Sequence, residues 1–314
     1  MSDSKAIRDI RAEALKRRTR IIADTRGEIL RLLKLAEERI AARIALQPSE
    51  AERWVLADLQ AEIRRAMGEF ADRAAATVST AAGQAWEAGQ ALVDAPLAAG
   101  GFRLDGIAPL LDTRQLVAMR AFMTDRIKDV GLQAANKINT ELGLVVIGAK
   151  APSEAITRVT AILKETSRGR AITIVRTELA RVYGTASQER LLQAAGGETP
   201  IVPGLKKQWR RSGKVHSRLY HDLADGQVQD VGKPFKLGNG VTLQFPHDPA
   251  APAGETINCG CTSLPWKADW EVATPGRKRY SEQEMQANPM KRDLQTALDE
   301  GRSVRDLIAG GKAA

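Results

Sequence analysis

The chain has 314 residues, with 47 Lys+Arg against 38 Asp+Glu, and a formal charge of +9. A hydrophobic fraction of 43% and a charged fraction of 27% describe a chain that buries a core and exclude a disordered one. The longest apolar stretch, Leu142–Ala149, is far short of the roughly 20 residues that span a bilayer, so no membrane partner is expected.

Met1–Lys5 has no apolar core behind it, which predicts no secretory leader. Two cysteines point to a reducing compartment rather than a disulfide scaffold. The basic balance suits an acidic partner such as nucleic acid.

The first elements are helical. Ile22, Ile29, Leu33, Ala36, Ile40 and Ile44 share one helical face, and Gln47-Pro48 ends that helix. Ser49-Glu50-Ala51-Glu52 fits a capping box. The second helix steps through Leu56, Leu59, Ile63, Ala66 and Phe70, the seam of a bundle or coiled coil. A break is predicted from Ala95-Pro96 to Ala108-Pro109. Asp112 or Thr113 then caps a third helix with the face Leu116, Met119, Met123, Ile127 and Val130. Pro152-Ser153 opens a short fourth helix. Ser167 precedes a fifth, with Ile172, Val175, Leu179, Val182 and Ala186 on one stripe and Gly196-Gly197 at its end. Long helices with narrow apolar stripes suit an extended or self-associating assembly better than a compact enzyme.

Composition changes near residue 197. Between 201 and 249 the one alanine is Ala224, and all three His (His216, His221, His247) and both Cys (Cys259, Cys261) lie in the 46 residues 216–261. Short apolar runs among Gly and Pro read as strands and turns, with Asn239-Gly240 before Val241 a hairpin signal. After Trp270 the chain is polar, with a weak helix at about 290–299 and a further short helix capped by Ser303. The fold class is therefore α+β: a long N-terminal helical region over 1–165, a compact helix-plus-small-β module over 166–270, and a polar, weakly helical tail over 271–314.

Zinc takes four N or S ligands in a tetrahedron. Cys259 and Cys261 with His221 and either His216 or His247 would supply them; as small core cysteines and exposed turn histidines they would bind nothing. A metal-dependent nuclease could draw on His221, Asp225, His247, Asp248 and Asn258, but no known nuclease spacing is present. No phosphate-binding Gly-Lys-Ser/Thr loop, nucleophile elbow, dinucleotide motif or HExxH is present either. Lys206, Lys207, Arg210, Arg211, Lys214 and Arg218 form a basic run around Trp209. It reads either as phosphate contacts with Trp209 stacking or as solvated cations on a strand whose Trp209 faces the core.

The order of residues from 169 to 262 is more specific than any one site. Arg176-Thr177-Glu178 on a helix is followed by Trp209, His221, Asp225-Gly226, Pro246-His247-Asp248-Pro249 and Asn258-Cys259-Gly260-Cys261-Thr262. This series resembles the phage Mu F-like minor head protein family, over about a third of the chain. In that family the residue between the cysteines is commonly Arg, where this chain has Gly260.

The resemblance implies a minor capsid protein, non-enzymatic, present in few copies in the virion head and in the host cytoplasm during assembly. It implies action near the portal vertex in head morphogenesis and DNA packaging or delivery. The implied partners are the portal protein, capsid or scaffold proteins and double-stranded DNA, with self-association through the N-terminal helices. The alternatives are a metal-dependent nuclease and a DNA-binding protein acting on phage DNA. Arg176, Thr177, Glu178, Trp209, His221, Asp225, Gly226, Asp248, Asn258, Cys259 and Cys261 are expected to organise the module, with Arg176 or Glu178 tying its helix to the strands. The metal set expected here is His216, His221, Cys259 and Cys261, with zinc as the ion.

Overall fold

The structure is a computed structural model, and it describes residues 4–45, 53–104, 107–147, 149–196, 198–270 and 279–301. The Gln47-Pro48 stop, the capping box at 49–52 and the helix capped by Ser303 lie outside the described residues. Five long or medium helices come first: α1 (Ser4–Ala45), α2 (Arg53–Ala99), α3 (Arg114–Val146), α4 (Pro152–Ala161) and α5 (Arg168–Ala195). Then follow β1 (Lys206–Arg210), α6 (Leu219–Leu223), β2 (Val228–Asp230), β3 (Phe235–Lys236), β4 (Thr242–Leu243), α7 (Ala253–Thr256), β5 (Thr262–Trp266), α8 (Glu282–Ala287) and α9 (Pro289–Asp299). The α+β class expected from the sequence is the one observed. Among the described residues no helix is long and apolar enough to cross a membrane.

Two compact units form, and they do not follow chain order. One contains residues 1–13, 91–109 and 187–314, and the other 14–90 and 110–186. The sequence places boundaries near residues 165 and 270; in the structure α1, α2 and α5 each contribute to both units.

In the helical unit the predicted faces are buried. Ile29, Leu33, Ala36 and Ile40 on α1, and Leu59, Ile63, Ala66 and Phe70 on α2, are all nearly inaccessible. Asp112 rather than Thr113 serves the start of α3, accepting from the Arg114 N–H at 2.9 Å. Small residues let backbones approach. A Cβ on Gly89 would sit 2.4 Å from the Tyr183 carbonyl oxygen and 2.9 Å from Ala186 Cβ. Gly89→Ala is therefore expected to lower stability by about 1–3 kcal/mol through overpacking, although alanine is the better helix former by about 1 kcal/mol. Denaturant unfolding reads this directly, and a stabilised variant would contradict the close approach.

One helix boundary differs from expectation. α2 runs through Pro96 to Ala99 because the ring removes one N–H near the helix end, where buried Val93 and Leu97 hold the turn. It ends at Gly101 (φ 89°), with Phe102 N–H donating to Leu97 O at 2.8 Å and Gly101 N–H to Ala98 O at 3.0 Å, the pattern of a Schellman motif. Ser167 directly precedes α5, as expected. It closes a π-helical turn, Ile162–Ser167, and its hydroxyl donates to Ile162 O at 3.0 Å. α5 does not carry a narrow stripe: Val175, Leu179, Val182 and Ala186 are buried, but so are Thr177, Glu178, Thr185, Ser187 and Gln188 around the rest of its circumference.

In the other unit β1 is the central strand of a sheet ordered β2-β1-β5, antiparallel throughout. β3 and β4 pair as a hairpin, Phe235 opposite Leu243, closed by Asn239-Gly240 as expected. One core gathers Val93, Leu97, Leu104, Leu191, Val202 and Trp270. The second holds Trp209, Ala224, Phe235, Leu237 and Leu243 together with Cys259 and Cys261.

Candidate metal centre

β1 places Trp209 at the middle of the second core, fully buried. Its indole N–H donates to the His221 carbonyl oxygen at 3.0 Å, and the two rings meet edge to face, 5.3 Å apart at 87°. Trp209 is thus the wall that fixes α6, and it has no face left for a base to stack upon. α6 aims His221 inward (1% exposed) at the entry to β5, where Cys259 and Cys261 are also buried. Asn258 turns the chain there with φ 54°, a left-handed conformation that asparagine tolerates.

His221 Nδ1 lies 3.4 Å from Cys259 Sγ and 3.7 Å from Cys261 Sγ, and the three donor atoms fall within 4.8 Å of one another. These residues could hold a metal ion. The opposite ring nitrogen is also fixed, since His221 Nε2 lies 2.8 Å from Glu255 Oε2. Glu255 Oε1 in turn accepts from Asn239 Nδ2 at 2.8 Å. A carboxylate on the far nitrogen is the usual support of a metal-binding imidazole, because it sets the tautomer and raises ligand basicity.

The electrostatics point the same way. The Cys261 thiol donating to Cys259, together with the His247 and His221 imidazoles, holds the Cys259 thiol well below its ordinary range despite burial. The Cys261 thiol is pushed up by that hydrogen bond, by burial and by the Cys259 charge. Burial works against a charged His221, but Cys259 and Glu255 outweigh it and raise its pKa. The site thus sets a thiol held low beside an imidazole held high inside a closed core.

Gly260 is fixed by space. A Cβ there would lie 2.7 Å from Ser212 Cβ and 2.9 Å from Lys214 Cε. Lys214 crosses this position to donate from Nζ to Asn258 O at 2.5 Å. Any side chain at position 260 would meet these atoms.

The other expected site residues are placed as follows. His216 is exposed and outside the donor group, so the expected metal set loses that member. Asp225 is buried and accepts from the Arg211 N–H at 2.9 Å and from Arg210 Nη1 at 3.2 Å, while Gly226 (φ 82°) makes the turn back to Trp209. Asp248 accepts from the N–H groups of Gln244 and Ala250, both at 2.9 Å. Both carboxylates therefore hold backbone in place, which departs from the water-activating cluster a nuclease needs.

Arg176 is exposed, and Glu178 pairs with Arg181 on its own helix at 2.5 Å. Neither ties α5 to the strands. That role falls to Gln188, whose Nε2 donates to Val231 O at 3.0 Å and whose Oε1 accepts from Lys207 Nζ at 3.3 Å. Thr177 is buried on the same helix.

The basic run is not a solvated face. Lys207 is fully buried, donates to Gln244 O at 2.6 Å, and has its pKa lowered to about 8 by burial. Arg210 pairs with Asp225, Arg211 with Glu284, Lys206 with Asp230, and Arg218 donates to Ile257 O at 2.8 Å. Lys214 donates to Asn258 O from an exposed position, and Lys206 keeps 43% of its side chain exposed in its pair with Asp230. Burial takes Lys207, Arg210 and Arg211 out of the accessible part of this run, since β1 is the sheet's centre and their partners are internal.

Glu255 went unseen in the sequence because nothing in its spacing marks it, and Asn239 was legible only as a turn residue, not as the partner of Glu255. Ser281 and Glu284 did carry a signal: the S-x-x-E spacing is that of a capping box. The Ser281 hydroxyl accepts from the Glu284 N–H, and the Glu284 carboxylate accepts from the Ser281 N–H at 3.0 Å. The helix expected at about 290–299 is α9, and α8 precedes it, with Tyr280, Glu284, Lys291 and Leu294 buried.

No family's sequence model matches the chain, and no solved structure matches it. Over 126 residues it is 33% identical to Uncharacterized protein YqbB of Bacillus subtilis (strain 168). The match covers 38% of this chain and 39% of that protein, so the chain spans well under two thirds of the length of the relative it matches.

Proposed function

We propose that this chain is a phage minor head protein acting in head morphogenesis at the portal vertex, and that its β module is a zinc-stabilised scaffold rather than a catalytic site. The observation that carries the reading is the closed centre. His221, Cys259 and Cys261, three residues of the series that resembles the Mu F-like family, converge at 1%, 7% and 2% exposure. A catalytic metal needs a position open to water or substrate, whereas a structural one is enclosed. Zinc suits this donor set because thiolate and imidazole are its common ligands, and Glu255 behind His221 supplies the second layer. When bound, zinc would supply cross-linking between α6 and the entry to β5, with no reacting group attached.

The helices support the assembly half of the proposal. α3 leaves Val117, Phe122 and Leu132 exposed at 61%, 47% and 61%, apolar side chains that suit docking on another protein. For DNA contact through Lys206–Arg218, the burial of Lys207, Arg210 and Arg211 leaves Lys206, Lys214 and Arg218 as the accessible cations.

The test is quantitative mass spectrometry of purified, nuclease-treated heads of the phage or prophage whose genome carries the gene. The expected result is a fixed ratio of a few copies per portal ring. Absence from both mature heads and assembly intermediates would overturn the proposal.

A further inference from the structure

Two short segments carry the metal donors, and neither can hold itself in place. His221 sits on α6, a helix of five residues, and Cys259 and Cys261 sit on the irregular entry to β5. An isolated helix shorter than about 12–15 residues is marginal in water, so both arms depend on what is bonded to them. The loop over residues 211–218, between β1 and α6, is bonded to both. The Arg218 carbonyl accepts the His221 and Asp222 N–H groups, each at 3.1 Å, while its Nη2 donates to Ile257 O at 2.8 Å. Lys214 Nζ donates to Asn258 O at 2.5 Å. Side chains of this loop thus hold the two carbonyls that precede Cys259.

The same loop is held in turn by the segment that carries α8 and α9. Asn288 Nδ2 donates to Val215 O at 3.0 Å, Arg211 Nη2 donates to Arg279 O at 2.8 Å, and Lys291 Nζ donates to Lys214 O. Lys291 is 2% exposed and reaches one step further. Its Nζ lies 2.9 Å from Glu284 Oε1 and 3.4 Å from Oδ2 of Asp222, the neighbour of His221 on α6. That same carboxylate oxygen accepts from Ser217 Oγ at 2.6 Å, so loop, α6 and α9 meet at one buried group.

We infer that α8 and α9 form a strap that positions both arms of the metal centre, through Lys291 and Asp222 for His221 and through the 211–218 loop for the cysteines. This rests on the metal reading of the preceding section. Lys291 and Asn288 are positioning residues, since neither belongs to the donor group. With the strap docked, α6 and the cysteine turn are already ordered when the ion arrives; with it loose, binding carries the entropy cost of ordering them. Such coupling is reciprocal, so a bound ion also holds the strap down.

The test uses the purified full chain, with amide hydrogen exchange along α9 and a Co²⁺ titration read by visible absorption. Zinc loading of the wild type is expected to slow α9 exchange about tenfold. Lys291→Met is expected to weaken Co²⁺ binding about tenfold, and Asn288→Ala to weaken it less. In Lys291→Met, zinc should no longer slow α9 exchange. Arg292→Ala, at an exposed position on α9, should match the wild type. A lysine that served packing alone would change the melting temperature and leave both metal readouts unmoved.

Metal uptake by the wild type with unchanged α9 exchange would overturn the strap and leave the three-residue metal site standing. That arm needs no variant, so it decides the question even where Lys291→Met fails to fold. A wild type that takes up neither Co²⁺ nor Zn²⁺ would overturn both.

Discussion

Removing the metal ligands should be the most damaging change in the strand-bearing unit. Cys261→Ser in the zinc-loaded protein is expected to abolish tight binding. The melting temperature is expected to fall by about 10–20 °C, at roughly 2–4 °C per kcal/mol for a unit of this size. Structural zinc contributes on the order of 10 kcal/mol to the folding of small zinc domains, and here part of that is replaced by the packing of Trp209, Phe235 and Leu243. A chelator should reproduce most of the loss in the wild type and almost none in Cys261→Ser. The thiol-to-hydroxyl exchange in a metal-free core costs about 1–3 kcal/mol, so the chelator comparison separates the two effects. Equal melting temperatures with and without chelator in the wild type would remove the structural-zinc proposal.

Glu284 should be the other sensitive position. It sits at 5% exposure between two cations, accepting from Arg211 Nη1 at 2.5 Å and from Lys291 Nζ at 2.9 Å. Lys291 also lies 3.4 Å from buried Asp222, so α8 and α9 are joined to the module by an interior ion cluster. Glu284→Gln leaves two buried cations short of one carboxylate, a change expected to cost about 3–5 kcal/mol. Replacing Lys291 by Met as well should recover part of that loss, since one unpaired charge goes with it.

The same carboxylate sets an acid limit. Burial pushes its pKa up, but hydrogen bonds from Arg211, the Ser281 backbone and Lys291 outweigh it and hold the value at about 2. A folded-state pKa below the unfolded one means that the stabilisation is fully present above about pH 4.5 and is lost as pH falls toward about 2. Each tenfold difference in proton affinity between the folded and unfolded chain is worth about 1.4 kcal/mol. On that scale roughly 3 kcal/mol should disappear over the window in the wild type and not in Glu284→Gln. Urea midpoints at about pH 5 and near pH 2–3 would check it. Identical acid slopes in the two proteins would show that Glu284 carries no such linkage.

Much of the helical part was legible because its signals are local. The 3,4 spacing on α1, α2 and α3 depends on neighbours a turn away, and those faces are the buried ones. Pro152 and Asn239-Gly240 act through their own backbone preferences, and they start α4 and close the β3–β4 hairpin. Pro96 misled because a proline near the end of a long helix removes one bond among many. α5 misled because spacing reveals which side chains are apolar and says nothing of what surrounds the polar ones; Thr177, Glu178 and Gln188 are buried as well.

The basic run shows the same limit for charge. Six cations around Trp209 read as a surface until pairing is known. In the structure β1 lies between β2 and β5, so Lys207, Arg210 and Arg211 point into an interior that supplies Gln244, Asp225 and Glu284.

By itself, then, the sequence determined an α+β chain with its chemistry-bearing residues gathered in 216–261, because composition and short-range periodicity are properties of the chain. It also singled out His221, Cys259 and Cys261 by type. The tertiary structure alone decided that these three converge, that Glu255 and Asn239 stand behind His221, that His216 stays outside the group, and that the compact units cut across chain order. Those facts arise from contacts between segments tens of residues apart, and distance along the chain carries no record of which segments a buried tryptophan will bring together.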